Sequence, residues 1–260
     1  MDFVLQGDAL ALLFFVALTA GFIDAMAGGG GLITIPALLL MQLPPLLALG
    51  TNKLQGCSGS LTATYAMMKN RQVRFRDIRI PFLTAFLGAG IGTLAVQQID
   101  PKALDALIPL ILLGIGFYFL LSPNAGEVDS KPRLGNGLYR FLVVPVIGFY
   151  DGFFGPGTGS FFSLVGVSLR GQNLISATAV AKVLNFATNV ASLAMFVAGG
   201  KVIWMVGLVM VGGQVIGAYA GAHAAIKGGA RLIRPVIVVV CFAMVLRYFW
   251  QKGMLAWLMG

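Results

Sequence analysis

The sequence predicts an all-α fold: a polytopic transmembrane helical bundle of two inverted repeats, each of about five elements, with a half-helix after each Gly-rich break. Three observations predict it. The composition is apolar, ten apolar segments fill nearly the whole chain, and several features of the first half recur in the second. Of 260 residues, 58% are hydrophobic and 10% charged, and the mean hydropathy is +0.90. A soluble domain of this length needs a more polar surface. Ten spans of about 20 residues would use roughly 200 of them, which leaves short connections and no room for a separate soluble domain.

The segments run in order. Asp2 and Asp8 precede the first, 9–27, so it lacks the basic leader of a cleavable signal and reads as a retained helix. Gly28-Gly29-Gly30-Gly31 then opens 31–42, too short to span and therefore a half-helix or re-entrant piece. Segments 45–68, 78–98 and 103–121 complete a first repeat, 1–122; a cytoplasmic linker is expected at 123–137. The second repeat, 138–260, opens with 138–154, and Gly155-Pro156-Gly157-Thr158-Gly159 leads into a second short segment, 159–169. Segments 173–198, 202–225 and 232–251 follow.

The two halves match in order. Gly21-Phe22-Ile23-Asp24 returns as Gly148-Phe149-Tyr150-Asp151, and Thr51-Asn52-Lys53 is echoed by Thr178 and Lys182. Gly88 and Gly92 are matched roughly with Gly213 and Gly217, and Pro109 with Pro235. Four matches in one order make a repeat. Loop charge supplies orientation. Lys69, Arg71, Arg74, Arg76 and Arg79 place their loop in the cytoplasm, whereas the matching loop at Gly199-Gly200-Lys201 is nearly neutral. The loop at Asp100, Lys102 and Asp105 is not basic, but its counterpart holds Lys227, Arg231 and Arg234. Opposite bias in matching loops implies that the halves insert head to tail, with both termini periplasmic and the linker with Lys131, Arg133 and Arg140 cytoplasmic.

Function is sought among polar residues inside apolar segments, where an ionisable group costs at least ~2.5 kcal/mol. Lys53 and Lys182 stand out. Thr51, Asn52, Gln55 and Ser58 surround the first; Thr178, Asn185 and Asn189 accompany the second. Steps of three and four residues put such groups on shared helix faces. The bland reading has the lysines snorkel to a headgroup region or pair with a carboxylate. The functional reading has two pseudo-symmetric ammonium groups line an anion site. Backbone N–H groups freed at Gly29, Gly30, Gly31 and at Gly157, Thr158, Gly159 add to it, because half-helix N-termini carry partial positive charge. Asp24 and Asp151 are the carboxylates within apolar segments. They carry coupling protons, or hold the glycine loops, or partner the lysines; loop-holding is favoured because each precedes a break that frees backbone donors.

Other features read as structure. The second glycine group lacks the Gly-Lys-Ser/Thr of a phosphate loop, and Gly88/Gly92 and Gly213/Gly217/Gly221 have the spacing of close helix packing. His223, the lone histidine, is expected to bond locally; Cys57 and Cys241 lie in separate segments and form neither a disulfide nor a metal site. Trp204, Tyr248, Trp250 and Trp257 sit near segment ends as interfacial anchors. The excess of 18 Lys and Arg over 9 Asp and Glu belongs to the loops rather than to nucleic-acid binding. No cofactor is expected, and with no His-Glu-x-x-His motif or nucleophile–base pair, a membrane enzyme ranks below a transporter or an anion channel.

Two stretches carry a family resemblance. Residues 21–31 (Gly-Phe-Ile-Asp-Ala-Met-Ala-Gly-Gly-Gly-Gly), with Ile35-Pro36-Ala37-Leu38 and Gly50-Thr51-Asn52-Lys53, resemble the first signature of the TauE/SafE sulfite exporter family. Residues 148–159 (Gly-Phe-Tyr-Asp-Gly-Phe-Phe-Gly-Pro-Gly-Thr-Gly) resemble its second, and the likeness spans essentially the whole chain. The resemblance implies secondary transport of sulfite, organosulfonates or related anions across the bacterial inner membrane, with the glycine loops, Thr51, Asn52, Lys53 and Lys182 at the site. The chain departs from symmetry at Ala179-Val180-Ala181-Lys182, where no Asn precedes the lysine. The expected partners are a small sulfur-containing anion and membrane lipid; the glycine faces also leave a homo-oligomer open.

Overall fold

The structure is a computed structural model that describes residues 7–98, 113, 117–118, 120–121 and 127–251, without the side chains of 240, 241, 244, 245 and 247–251. All regular structure among them is helical. Helix α1 (Gly7–Ala27) ends at the first glycine break, and α2 (Gly31–Leu40) starts immediately beyond it. Then come α3 (Pro45–Lys69), with proline at its first position, and α4 (Phe75–Val96). A turn at Asn136–Leu138 and a π-helical stretch at Tyr139–Val143 lead into α5 (Val144–Phe153). The second break opens α6 (Thr158–Ser168), and α7 (Leu174–Ala198) is capped by Asn173, whose side chain accepts from the Ser176 amide at 2.9 Å. Last is α8 (Trp204–Gln251), interrupted at Gly229, whose backbone (φ 56°, ψ −151°) is not helical.

At 1.5 Å per residue the 21–25 residues of α1, α3, α4 and α7 reach across the ~30 Å hydrocarbon core, whereas the 10 and 11 residues of α2 and α6 cover about half of it. The two short segments are therefore half-length helices behind glycine breaks, as expected. Helices α1, α4, α7 and the 204–239 part of α8 are long and apolar enough to span a membrane. Helix α3 is long enough but more polar, because it carries Thr51, Asn52, Lys53 and Gln55, all buried. The outside shows the reverse: Phe15, Leu87, Ile91, Leu208 and Val239 are each more than half exposed. Charge inside and apolar side chains outside is the pattern of a multi-pass membrane protein. The separate segments expected at 202–225 and 232–251 form one helical run bent at Gly229. The segment expected at 103–121 lies almost wholly outside the described residues, as do the side chains of Cys241, Tyr248, Trp250 and Trp257; Trp204 stands half exposed at the start of α8.

The halves interlock through glycine. On α8, a Cβ at Gly213, Gly217 or Gly221 would lie 2.2, 1.9 or 2.2 Å from the carbonyl oxygen of Phe14, Leu18 or Phe22 on α1. On α4, a Cβ at Gly88 or Gly92 would lie 2.3 or 2.1 Å from that of Pro145 or Phe149, both on α5. Such closeness is open only to glycine. Leu18 and Phe22 precede Pro145 and Phe149 by the same offset as Gly21 precedes Gly148. The contacts thus pair Gly88 with Gly217 and Gly92 with Gly221, one helical turn beyond the match expected from sequence. In each case a helix of one half packs on a helix of the other. His223 bonds within its own helix, its Nδ1 2.8 Å from the Tyr219 carbonyl.

Candidate functional site

The two breaks meet at the centre of the bundle. Gly28 turns with φ +76°, Gly155 and Gly157 with φ +96° and +79°, conformations that disfavour any side chain. Gly28 and Gly159 lie back to back: a Cβ on Gly28 would be 2.2 Å from the Gly159 Cα. The Ser160 hydroxyl donates to the Ala27 carbonyl across the same junction. Each break is held by its own aspartate. The Gly30 amide donates to Asp24 Oδ1 at 3.1 Å, and the Thr158 hydroxyl donates to Asp151 Oδ1 at 3.0 Å.

The lysines reach these aspartates crosswise. Lys53 Nζ on α3 donates to Asp151 Oδ1 at 2.8 Å and to the Asp151 carbonyl at 2.7 Å. Lys182 Nζ on α7 lies 3.2 Å from Asp24 Oδ2 and donates to the Asp24 carbonyl. Each half therefore supplies the cation for the other half's carboxylate. The side chains of Lys53, Asp151 and Lys182 are 3% exposed or less, so pairing is what permits their charge, while Asp24 keeps 14%. Holding the breaks and partnering the lysines are thus one role for Asp24 and Asp151. A Cβ at Gly155 or Gly159 would come within 3.1 or 3.2 Å of Lys53 Nζ or Lys182 Nζ, so these glycines leave room for the ammonium groups.

A cavity of about 30 Å³ opens between the pairs, where one water needs roughly 10–15 Å³. Of the residues expected at a site, Asp24, Gly31, Asn52, Lys53, Gln55, Asp151, Thr158 and Asn185 line it. Asn185 Nδ2 donates to Asp151 Oδ2 at 3.1 Å, and Asn52 Oδ1 accepts from the Thr34 hydroxyl and from Gln55 Nε2, the latter at 2.7 Å. The other candidates stand back. Gly159 meets Gly28 at the junction, the Gly30 amide is bound to Asp24, and Lys182 pairs with Asp24; Gly29, Gly30, Gly157, Gly159 and Lys182 do not line the cavity. Thr51 faces away: its hydroxyl accepts from the Ile203 amide at 3.0 Å, at the entrance to α8.

The cavity also takes in Gly28 and Gly155 of the two breaks, Asn189 one turn beyond Asn185, and two residues that the sequence does not single out, Gly56 and Gln214. Gln214 carries the most information. It comes from α8, is 2% exposed, and lies over Gly59, where a Cβ would be 2.4 Å from its Nε2. Its Oε1 and that of Gln55 are buried without a hydrogen-bond partner among the described residues. A buried acceptor without a partner is costly, so both mark places where water or a solute completes the bonding. No group of three or more metal-ligating side chains exists among the described residues.

Known proteins resemble the chain over most of its length. Residues 13–248 match the family described as "Sulfite exporter TauE/SafE". The chain is 49% identical to a "Probable membrane transporter protein" of Haemophilus influenzae, covering 95% of this chain and 96% of that one. It is 45% identical to the "Probable membrane transporter protein YfcA" of Escherichia coli K12, covering 93% and 90%. At 22% identity it matches the "Probable membrane transporter protein YunE" of Bacillus subtilis, over 82% and 88%. No solved structure matches the chain.

Proposed function

The chain is a membrane transporter that belongs to the TauE/SafE sulfite exporter family, and from that premise we propose that it exports small sulfur-containing anions, such as sulfite or organosulfonates, across the bacterial inner membrane by alternating access. The crossed lysine–aspartate pairs carry this reading. With two ammonium and two carboxylate groups the site is neutral at rest, so an anion does not simply fall onto a free cation. It competes with Asp151 or Asp24 for a lysine, while the carboxamides of Asn52, Gln55, Asn185 and Asn189 offer further donors. Each lysine–aspartate pair also ties one half of the chain to the other. An anion that draws a lysine from its carboxylate loosens that tie, and the halves are freed to rock about the site. The small cavity supports an occluded site over a continuous pore, since a solute larger than two waters requires the walls to move.

Inverted insertion of the halves and periplasmic termini belong to the same proposal; the crossed packing of α1 on α8 and α4 on α5 supports the first, and the basic loop at 69–79 the second. Reconstituted proteoliposomes test the function. Sulfite, sulfate, small sulfonates and carboxylates are compared with and without a pH gradient. Saturable movement of sulfite or a sulfonate, with counterflow, is the expected result. Movement of cations or neutral solutes alone would refute the anion reading, and flux without saturation would indicate a channel.

A further inference from the structure

A cationic pocket lies away from the central cavity. The start of α4 and the π-helical stretch ahead of α5 enclose a pocket of about 290 Å³ lined by Arg76, Asp77, Arg79, Ile80 and Arg140. Its three guanidinium groups make no hydrogen bond or ion pair among the described residues. Asp77 offsets one charge and leaves a local excess of two. Helix α4 begins here with Arg74 as its cap residue and no side chain on its free amides, so the positive end of the helix dipole adds to the field. Arg140 is brought to the pocket by a π-helical turn, a costlier geometry than the α-helix that is over-represented at functional sites. Residues next to these arginines in the chain are apolar and exposed: Phe75, before Arg76, is 44% exposed, and Leu138 and Phe141, on either side of Arg140, are 50% and 67% exposed. Arginines without a partner beside exposed aromatic and aliphatic side chains suit the boundary between headgroups and acyl chains.

We infer that this pocket binds the phosphodiester headgroup of an anionic membrane phospholipid, with Arg76, Arg79 and Arg140 on the phosphate and the chains along Phe75, Leu138 and Phe141. Forked guanidinium groups suit phosphate oxygens, and the apolar rim favours a lipid over a free ion. The inference is independent of the transported solute.

Native mass spectrometry of the detergent-purified protein tests it, with phosphatidylglycerol, phosphatidylcholine and inorganic phosphate as probes. The parent protein is expected to retain phosphatidylglycerol saturably and phosphatidylcholine weakly. An arginine near a membrane surface contributes about five-fold, so Arg76→Gln/Arg79→Gln/Arg140→Gln should weaken retention on the order of 100-fold. Arg140→Gln alone should give a parallel, smaller loss, which keeps the test usable if the triple variant is poorly made. Lys69→Gln/Arg71→Gln/Lys131→Gln removes equal charge elsewhere and should change little. Unchanged retention in the triple and single variants overturns the site, and so does an equal loss in the control, which would mean diffuse charge. Competition by inorganic phosphate as strong as by lipid would overturn the lipid assignment.

Discussion

Replacing Lys53 with methionine removes the cation from a buried pair and leaves its carboxylate behind. Lys53 and Asp151 are both about 2% exposed, and the ammonium makes two contacts, at 2.7 and 2.8 Å. After Lys53→Met, Asp151 keeps only the neutral donors of Thr158 and Asn185, at 3.0 and 3.1 Å. Breaking a buried pair on one side costs about 3–5 kcal/mol, a large share of the ~5–15 kcal/mol that typically holds a domain together. Lys53→Met/Asp151→Asn removes both charges and should recover most of that loss, because a neutral, well-packed replacement of a buried pair is often close to neutral in stability. Transport should be absent from both variants. Lys182→Met should cost less than Lys53→Met, since its ion-pair distance is 3.2 Å and Asp24 is partly open to the cavity. Thermal unfolding in detergent gives the stability order and proteoliposome flux gives the function. If Lys53→Met is as stable as the parent, the electrostatic reasoning fails. If the double variant transports at the parental rate, the lysine has no part in moving solute.

The remaining predictions concern packing and the cavity wall. Gly92→Ala would put a methyl 2.1 Å from the Phe149 carbonyl and should destabilise by about 1–3 kcal/mol, whereas Gly90→Ala, with nothing within 4 Å, should stabilise by about 0.5–1 kcal/mol; thermal unfolding separates them. Gln214→Leu removes an unpartnered buried acceptor, so stability should hold or rise while the KM for transported anion increases several-fold; an unchanged KM would remove Gln214 from the site. Thr51→Ala should lower stability by about 1 kcal/mol through the lost bond to the Ile203 amide and leave KM unaltered.

What could be read from sequence follows from how local each signal is. The limits of the segments from 9–27 to 78–98 and from 138–154 to 173–198 agree within a few residues with the helical runs, because hydropathy is a property of the segment itself. The helical run across Gly229 was hidden, since Lys227, Arg231 and Arg234 look like a loop while the chain needs only one glycine to bend between them. Lys53, Lys182, Asp24 and Asp151 stood out because charge in an apolar segment needs a reason. Their crossed pairing did not, since it depends on which half each helix packs against. Thr51 was grouped with Asn52 by adjacency, yet neighbouring helix positions are rotated by about 100° and Thr51 faces α8. Gln214 was passed over because it has no polar neighbour on its own helix, and only the approach of α3 at Gly59 gives it a role. The turn-long shift between Gly88/Gly92 and their partners has the same origin, because α8 carries three glycines at equal spacing and only contact chooses among them.

The clasp of α1 by the glycines of α8 has a consequence for the order of synthesis. The groove that receives the Phe14, Leu18 and Phe22 carbonyls is translated 199 residues after them, in a chain of 260. A ribosome therefore releases α1 into the lipid long before α8 exists, and until then the first helix has only its smaller contacts with α2, α3, α6 and α7. Assembly of the centre is completed only when the last helix arrives: a nascent chain stalled before Gly213 already has Ser160 and Lys182 to set against the first break but lacks Gln214 over the cavity. The speed with which α8 docks therefore sets how long that unfinished intermediate persists in the membrane.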